Sequence, residues 1–362
     1  MKMSEREGLR TWIEVDRKAI QHNFGVFRGL IPKKTKLMAV VKSNAYGHDL
    51  LQFSREMEKL GADFLGVDSI TEARALRRAG VRLPILVLGY TCRELFTEAA
   101  RDDVSLTVST FETLSAIRKT KLPRPLKIHV KVDTGMHRQG FLPEDRQKVL
   151  ANLQLTTCNL QLQPEGLYTH FASAKHPAFP KDTREQIEEF RRWIAAFRRK
   201  GLRPLVHAAA TAGVMLFPES YFDMVRVGIG LYGLWPALEV REYLKERIEL
   251  KPALVWKSIL TEIKTLPKGS RIGYDLNETL HQKSTVGVVP VGYWHGYPRA
   301  LSSIGRVLVK GKECKVLGRV SMDMLTVDLS RVKHPLAGDA VVAMGGGETT
   351  PTSAAGLARA LR

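Results

Sequence analysis

Short apolar runs alternate with amphipathic stretches through the first two-thirds of the chain. Eight such runs occur over about 230 residues, and stretches with helical periodicity lie between them. Alternation of strand and helix is typical of parallel α/β proteins, and eight repeats within roughly 250 residues are typical of a (β/α)8 barrel. The runs are Lys36–Lys42, Phe64–Val67, Ile85–Gly89, Val104–Val108, Lys127–Asp133, Gly166–His170, Pro204–Ala208 and Asp223–Val227.

A doubly wound open sheet is the alternative interpretation of this alternation. Such sheets usually have fewer strands, and no G-x-G-x-x-G motif follows the first run. We therefore expect an α/β fold whose (β/α)8 TIM barrel covers residues 1–245.

The pattern changes near residue 246, where short strand-like segments replace the alternation. Gly, Pro, Asn and Asp turns separate these segments, as in an all-β domain. We expect this second domain to cover residues 246–362, and we leave open whether the first ten or so residues pack with it. The segments are Leu254–Thr265, Thr285–Val291, Arg306–Val309, Cys314–Val316, Met324–Asp328 and Ala340–Ala343.

The composition is that of a soluble globular protein, with 44% hydrophobic and 26% charged residues in a chain of 362. No apolar run reaches the roughly 18 residues of a membrane span, and the first ten residues are too charged for a signal peptide. Three dispersed cysteines (Cys92, Cys158 and Cys314) lack metal-ligand spacing and fit a reducing compartment. We expect a cytoplasmic protein with no metal and no membrane association.

The chain is strongly basic, with 56 Lys and Arg against 37 Asp and Glu and a net charge of +19. The basic residues are dispersed, and no nucleic-acid motif accompanies them. We therefore interpret the charge as a solvated surface rather than a nucleic-acid site. An anionic substrate or cofactor would also suit a basic cleft.

Reactive side chains follow several of the predicted barrel strands, at the ends where barrel chemistry occurs. Lys42 and Arg226 each emerge from an apolar run, and a buried cation is costly unless it is paired or reactive. Each residue also has a simpler interpretation, because Lys42 could be a solvated strand end and His170 a core histidine. Thr211 and Gly228 follow the seventh and eighth runs, where barrels often bind phosphate. A lysine, an arginine and a phosphate cradle together suggest pyridoxal phosphate.

Seven segments, in order along nearly the whole chain, form a recognisable set. They are Ala39–His48, Val130–Arg138, Tyr168–Phe171, Met224–Gly233, Arg271–Tyr274, Pro290–Tyr293 and Gly318–Asp323. Together these segments resemble those of alanine racemases. The resemblance implies a pyridoxal-phosphate-binding barrel followed by a β domain. It also implies the interconversion of L- and D-alanine, which supplies D-alanine for peptidoglycan.

The resemblance assigns the two proton-transfer groups. Lys42 would hold the cofactor as an aldimine and then exchange the α-proton on the face of D-alanine. Tyr274 would act on the opposite face, that of L-alanine, supported by His170 and Arg226. Arg226 would also face the pyridine nitrogen, and a guanidinium with a pKa above about 12 would leave that nitrogen largely unprotonated.

The resemblance also assigns the binding residues. Tyr46, Thr211, Gly228 and Ile229 would hold the cofactor phosphate. Arg138 and the Met322 N–H would bind the substrate carboxylate, and Tyr293 would line the entry. Lys131 matches a position that is carbamylated in some members, where it braces Arg138.

Members of the family resembled are head-to-tail homodimers, in which Tyr274 and Met322 would complete the partner subunit's site. Two alternatives remain open at this point. One is a racemase for another amino acid, and the other is a protein that binds pyridoxal phosphate without turnover.

The sequence departs from the family pattern at four places. Ala210 stands where Asn is usual, Trp294-His295 replaces a small residue and Asp, and Ser321 replaces a frequent Cys. The sequence also ends at Arg362, before a segment that in family members bears a phosphate-contacting Tyr. We expect the first two changes to affect the phosphate side and the entry, and the last to affect cofactor affinity.

Overall fold

The computed structural model describes residues 8–157, 162–347 and 350–361. These residues divide into two compact units, one within Lys18–Lys251 and the other within Met1–Arg17 and Pro252–Arg362. In the described part of the chain, no helix is both long and apolar enough to cross a bilayer.

The described strands and helices follow the chain in a regular order. The strands are β1 (Thr11–Val15), β2 (Lys36–Val40), β3 (Phe64–Val67), β4 (Ile85–Val87), β5 (Val104–Val108), β6 (Leu126–Lys131), β7 (Leu162–Tyr168), β8 (Leu205–His207), β9 (Met224–Val227), β10 (Leu254–Ile259), β11 (Glu262–Leu266), β12 (Arg271–Ile272), β13 (Glu278–Thr279), β14 (Ser284–Val289), β15 (Arg306–Val309), β16 (Lys312–Leu317), β17 (Leu325–Asp328) and β18 (Ala340–Met344). The helices are α1 (Arg17–Leu30), α2 (Lys42–Gly47), α3 (Leu50–Leu60), α4 (Ile70–Arg78), α5 (Phe96–Arg101), α6 (Phe111–Lys119), α7 (Arg146–Thr157), α8 (Lys181–Arg199), α9 (Thr211–Leu216), α10 (Leu238–Leu244) and α11 (Ala354–Ala360).

Strands β2 to β9 form a closed parallel barrel, which confirms the predicted fold class. The barrel closes where β9 pairs with β2, with Arg226 opposite Met38. Strands β3, β5 and β9 are buried at every position, because helices cover the outside while side chains fill the inside.

Helix α8 shows how the sequence holds the outer layer in place. Its buried side chains, Ile187, Phe190, Trp193, Ile194 and Phe197, recur at helical spacing on one face. Its last turn carries Arg198 and Arg199, whose positive charges interact favourably with the negative end of the helix dipole. The same helix therefore buries its apolar side chains and keeps most of its charged side chains in solvent.

The second unit contains an antiparallel sheet in the order β1-β10-β18-β15-β16-β17-β14-β11. Strand β1 pairs with β10, so this N-terminal strand belongs to the C-terminal sheet. The segment Leu254–Thr265, expected as a single strand, is two strands. The chain changes partners at Leu260 and Thr261, whose N–H groups donate to Asp339 and Val288.

Candidate active site

A cavity of about 620 Å³ opens at the C-terminal ends of the barrel strands. All of its lining residues belong to the unit within Lys18–Lys251. The cavity brings together nine of the predicted site residues: Lys42, Tyr46, Lys131, Arg138, His170, Thr211, Arg226, Gly228 and Ile229. The other three, Tyr274, Tyr293 and Met322, lie in the second unit.

Lys42 lies two residues after the end of β2 and lines the cavity. Val41 before it is fully buried, but the lysine side chain itself is 38% exposed. Its Nζ lies 3.3 Å from Oδ1 of Asp68, a residue that sequence reasoning missed. The Lys42 side chain is therefore paired and partly exposed. Its position after an apolar run had suggested a buried side chain instead.

The chain leaves Lys42 in an unusual left-handed turn. Four successive non-glycine residues, 43–46, have φ between 52° and 56°. Left-handed helical backbone costs roughly 1–2 kcal/mol per L-residue, so the surroundings must stabilise this turn. Asn44 contributes by accepting a hydrogen bond from the Leu50 N–H at 2.9 Å and donating its own N–H to Glu72 at 3.1 Å. The turn places Lys42 and Tyr46 in the same cavity.

A small polar cradle lies between Tyr46, Thr211 and Gly228. The Gly228 N–H donates to Thr211 Oγ1 at 3.2 Å, and α9 begins at Thr211. A Cβ on Gly228 would stand only 3.0 Å from the Tyr46 hydroxyl, so glycine leaves the cradle open. Two hydroxyls and a backbone N–H at the start of a helix suit an oxyanion.

Ala210 occupies the N-cap of α9 and supplies no side-chain hydrogen bond there. Asn is among the strongest N-cap residues because its side chain accepts from the first free N–H groups of a helix. Ala210, in place of the Asn that the resemblance implies, therefore leaves the cradle side of α9 without a side-chain cap.

Arg226 is the most strongly held cation of the site and is only 3% exposed. Its Nη2 donates to the carbonyls of Thr169 and Ala208, both at 2.8 Å, and its Nη1 contacts His207 Nδ1 at 2.8 Å. Burial lowers the pKa of Arg226 to about 10, so the guanidinium stays charged at neutral pH. The site therefore contains a fixed, dehydrated positive charge.

His170 contacts the same guanidinium, with its Nδ1 3.3 Å from Arg226 Nη2. Burial, followed by the charge of Arg226, lowers the pKa of His170 to about 3. The ring is therefore neutral at physiological pH. Since Arg226 can only donate, His170 Nδ1 accepts and the ring proton lies on Nε2.

Lys131 lies under the cavity and is 6% exposed. Its Nζ donates to Gln139 Oε1 at 2.8 Å, and Gln139 directly follows Arg138 in the chain. Burial, followed by the charges of Arg226 and Arg138, lowers the pKa of Lys131 to about 8. Five basic side chains line this cavity (Lys42, Lys131, Arg138, Lys175 and Arg226), which favours an anionic ligand.

In the second unit, Tyr274, Tyr293 and Met322 lie on exposed loops. Tyr274 is 70% exposed and Met322 52%. The Tyr293 N–H donates to the Ser321 carbonyl at 3.0 Å, which joins two of these loops. The loops expose a set of large apolar side chains, here called the aromatic–methionine face: Tyr274, Leu276, Tyr293, Trp294, Met322 and Met324.

Comparison with known proteins supplies the family. The model of the alanine racemase N-terminal domain matches residues 15–236, and that of the C-terminal domain matches residues 253–362. The chain belongs to the alanine racemase family. Members of this family are pyridoxal-phosphate-dependent isomerases, in agreement with the cofactor and reaction class expected from the sequence.

Relatives in this family are similar along nearly their whole length. The alanine racemase of Desulforamulus reducens is 39% identical over 340 residues, which cover 93% of this chain and 90% of that protein. That of Symbiobacterium thermophilum is 38% identical, with coverage of 97% and 93%. Among solved structures, alanine racemase from Bacillus anthracis with bound L-Ala-P is 34% identical with a TM-score of 0.90, covering 97% of this chain and 90% of that one. Alanine racemase of Clostridium difficile also has a TM-score of 0.90 at 32% identity, covering 98% and 90%.

The cavity of this alanine racemase family member fits pyridoxal phosphate. An amine stands at one side, a fixed guanidinium at another, and the open cradle at Gly228 suits a phosphate. The charges of these basic side chains complement a phosphate and a carboxylate together.

Sequence reasoning missed several residues that shape the site. Asp68 pairs with Lys42, Gln139 accepts from Lys131, and Tyr168 lies beneath the Arg226 guanidinium at 5.2 Å. The segment Lys127–Asp133 alternates polar and apolar residues, a period-two signal for a polar inner face of β6. That signal could have predicted the buried polar groups of β6.

Proposed function

We propose that this alanine racemase uses Lys42 and Tyr274 as the two proton-transfer groups on opposite faces of the alanine α-carbon. The observation that supports this assignment is the set of titratable groups lining the cavity. In the described lining, Tyr46 and Tyr168 have pKa values raised by burial, that of Tyr168 to about 12, and His170 has a pKa near 3. None of these three suits proton abstraction at neutral pH, and the family resemblance supplies Tyr274, which lies outside this cavity lining, for that role.

We assign cofactor binding to residues of the barrel. Lys42 would carry it covalently, and Tyr46, Thr211, Gly228 and Ile229 would bind its phosphate. When bound, pyridoxal phosphate withdraws electrons from the substrate α-carbon and so acidifies its proton. Lys42, once free, takes or returns that proton on the D-alanine face.

Arg226 and His170 set the charges around this chemistry. Arg226 would face the pyridine nitrogen and keep its proton, since its pKa stays well above neutrality. His170 presents its Nε2–H, which suits donation to the phenolate oxygen of Tyr274. A donor at that oxygen stabilises the phenolate, whose free pKa is near 10.

Arg138 and the Met322 N–H would bind the substrate carboxylate, with Tyr293 at the entry. The charge and planarity of Arg138 suit a two-point contact with a carboxylate. Lys131 is the second group in this part of the site. We propose that it carries a carbamate, formed when its neutral amine attacks carbon dioxide and loses one proton.

Carbamylation of Lys131 has a specific spectroscopic test. Protein kept in 13C-bicarbonate at pH 8 should show a carbamate carbonyl signal, because an amine with a pKa of about 8 is about half neutral there. The signal should weaken as the pH falls and vanish in Lys131→Arg. The same signal should persist in Lys175→Arg, which alters a lysine at the cavity rim. A spectrum without the signal at pH 8 would exclude the carbamate.

We propose that the chain acts as a homodimer whose sites are shared between subunits. The aromatic–methionine face supports this arrangement, since large exposed patches of aromatic and Met side chains are typical of interfaces. Tyr274 and Met322 lie on this face, so a partner subunit whose own cavity lay against the face would receive both residues. We also place the enzyme in the cytoplasm, where it would supply D-alanine for peptidoglycan. The free thiols of Cys92 and Cys314 suit a reducing compartment.

Shared sites predict complementation between two inactive variants. Unfolding and refolding an equal mixture of Lys42→Ala and Tyr274→Phe chains should restore about a quarter of wild-type activity. Half of the dimers are then mixed, and each has one of its two sites intact. Each variant refolded alone is the control. Activity no higher than that of the separate variants, in a mixture shown to contain mixed dimers, would place both residues in one chain's site.

A further inference from the structure

A chain of polar groups leads from the buried Arg226 through two buried histidines to the partly exposed Glu165. Arg226 Nη1 contacts His207 Nδ1 at 2.8 Å, and His207 Nε2 contacts His129 Nδ1 at 2.8 Å. His129 Nε2 contacts Glu165 Oε2 at 3.0 Å, and Ser105 donates to the same oxygen. Both histidines are fully buried, and neither they nor Glu165 line the cavity.

The guanidinium fixes the direction of every hydrogen bond in this chain. Arg226 has no acceptor, so His207 Nδ1 must accept and His207 Nε2 must carry the proton. His129 Nδ1 then accepts, and His129 Nε2 donates to the carboxylate. Each ring therefore has one proton, on Nε2, and the chain ends at an acceptor that cannot donate when ionised.

The charges of the groups agree with this direction. Burial lowers the pKa of both His129 and His207, so both rings are neutral. Burial alone would raise the pKa of Glu165, but hydrogen bonds from His129 and Ser105 lower it below its usual value. A carboxylate is thus connected to a buried guanidinium through two neutral rings.

The backbone is specifically arranged to place Glu165 inside the barrel. Pairing between β6 and β7 passes from Ile128 opposite Pro164 to His129 opposite Gly166, so Glu165 is an extra residue in β7. Such a bulge redirects a side chain that would otherwise follow the strand alternation. A Cβ on Gly166 would lie 2.1 Å from the His129 ring, so only glycine admits this imidazole.

We propose that Glu165, His129 and His207 are positioning residues for Arg226. Through His207, they bind Nη1 of the guanidinium. The Thr169 and Ala208 carbonyls and His170 contact Nη2. Glu165 supplies the final acceptor and a distant negative charge, so Arg226 keeps its orientation without a direct ion pair that would cancel its field. This inference rests on the role proposed for Arg226 toward the cofactor.

Three variants test the chain. Glu165→Ala removes the acceptor, whereas Glu165→Gln keeps an acceptor oxygen without the charge. Asp103→Asn is the matched control. The Asp103 carboxylate lies 3.0 Å from Lys127 Nζ, and the Glu165 carboxylate lies 3.9 Å from the same atom. Among the described contacts, Asp103 has none with His129 or His207. Asp103 has a φ of 53°, which Asn tolerates well.

The first readout needs no cofactor. In 15N-histidine-labelled apoprotein, His129 and His207 should each show a protonated Nε2 and an unprotonated Nδ1. Glu165→Ala should expose the His129 Nε2–H to exchange with water, and Glu165→Gln should largely protect it. A protonated Nδ1 on His207 in the wild-type protein would overturn the proposed direction.

The second readout separates positioning from a purely structural role. Glu165→Ala should shift the absorption band of the protein-bound cofactor and lower kcat roughly 10- to 100-fold, as expected for the loss of a charged hydrogen-bond partner. Glu165→Gln should recover most of both, and Asp103→Asn should change neither. If Glu165→Ala lowers only Tm and keeps the wild-type band and kcat, the positioning role is wrong. If the wild-type protein itself fails to racemise, the proposed function fails while the histidine spectra still test the chain.

Discussion

Replacing Lys42 with alanine should lower alanine racemisation by roughly a thousandfold or more. Lys42 is the amine that emerges from β2 into the cavity, with its Nζ 3.3 Å from Asp68. Loss of a nucleophile that also transfers a proton removes two functions at once, and such losses are among the largest in enzymes. The variant should also lose the visible absorption of cofactor joined to a protein lysine, which can be read in the purified protein after dialysis.

The control for this variant is Lys175→Ala, another lysine at the rim of the same cavity. It should retain both the absorption and nearly all of the activity. An unchanged absorption band in Lys42→Ala would show that another amine holds the cofactor, and the assignment of Lys42 would then be wrong.

Replacing Tyr274 with phenylalanine should produce an asymmetric loss. Removal of the α-proton from L-alanine should fall by about 10²- to 10⁴-fold, the usual contribution of a positioned acid–base group. Removal of the α-proton from D-alanine should fall much less, because Lys42 remains. In D2O, this variant should therefore convert D-alanine to deuterated D-alanine faster than it produces L-alanine.

Proton NMR of each enantiomer incubated separately in D2O measures the two rates. Tyr243→Phe, which alters a tyrosine that is 60% exposed on the barrel unit, should leave both unchanged. Equal losses for the two enantiomers in Tyr274→Phe would remove Tyr274 from its role on the L-alanine face.

The sequence was sufficient to predict the architecture because the barrel rests on repeated local signals. The predicted runs Phe64–Val67 and Val104–Val108 coincide with β3 and β5, and the others overlap their strands. Burial on both faces makes such strands continuously apolar, and this pattern is readable without tertiary information. The β domain was less exact, because the break between β10 and β11 depends on partners more than seventy residues away in β18.

The location of Lys42 and Arg226 in the cavity was predictable, because each lies near the end of an apolar run. The site was not predictable where backbone geometry decides the outcome. The left-handed turn after Lys42 contains no glycine until Gly47, and Asn44 is its only residue of a type that readily adopts this conformation. Glu165 enters the barrel only because of a bulge, and the pairing between Lys42 and Asp68 joins the ends of two different strands.

Racemisation of L-alanine in D2O by the wild-type protein with pyridoxal phosphate tests the two-base account most directly. Early samples should be analysed for the chirality of the alanine and for deuterium at its α-carbon. With Tyr274 removing the proton on one face and Lys42 delivering solvent deuterium on the other, the first D-alanine formed should be deuterated at the α-carbon. The two-base account would be contradicted if the D-alanine retained the original α-proton. It would also be contradicted if L-alanine stayed unchanged when incubated with protein shown to be folded and loaded with cofactor.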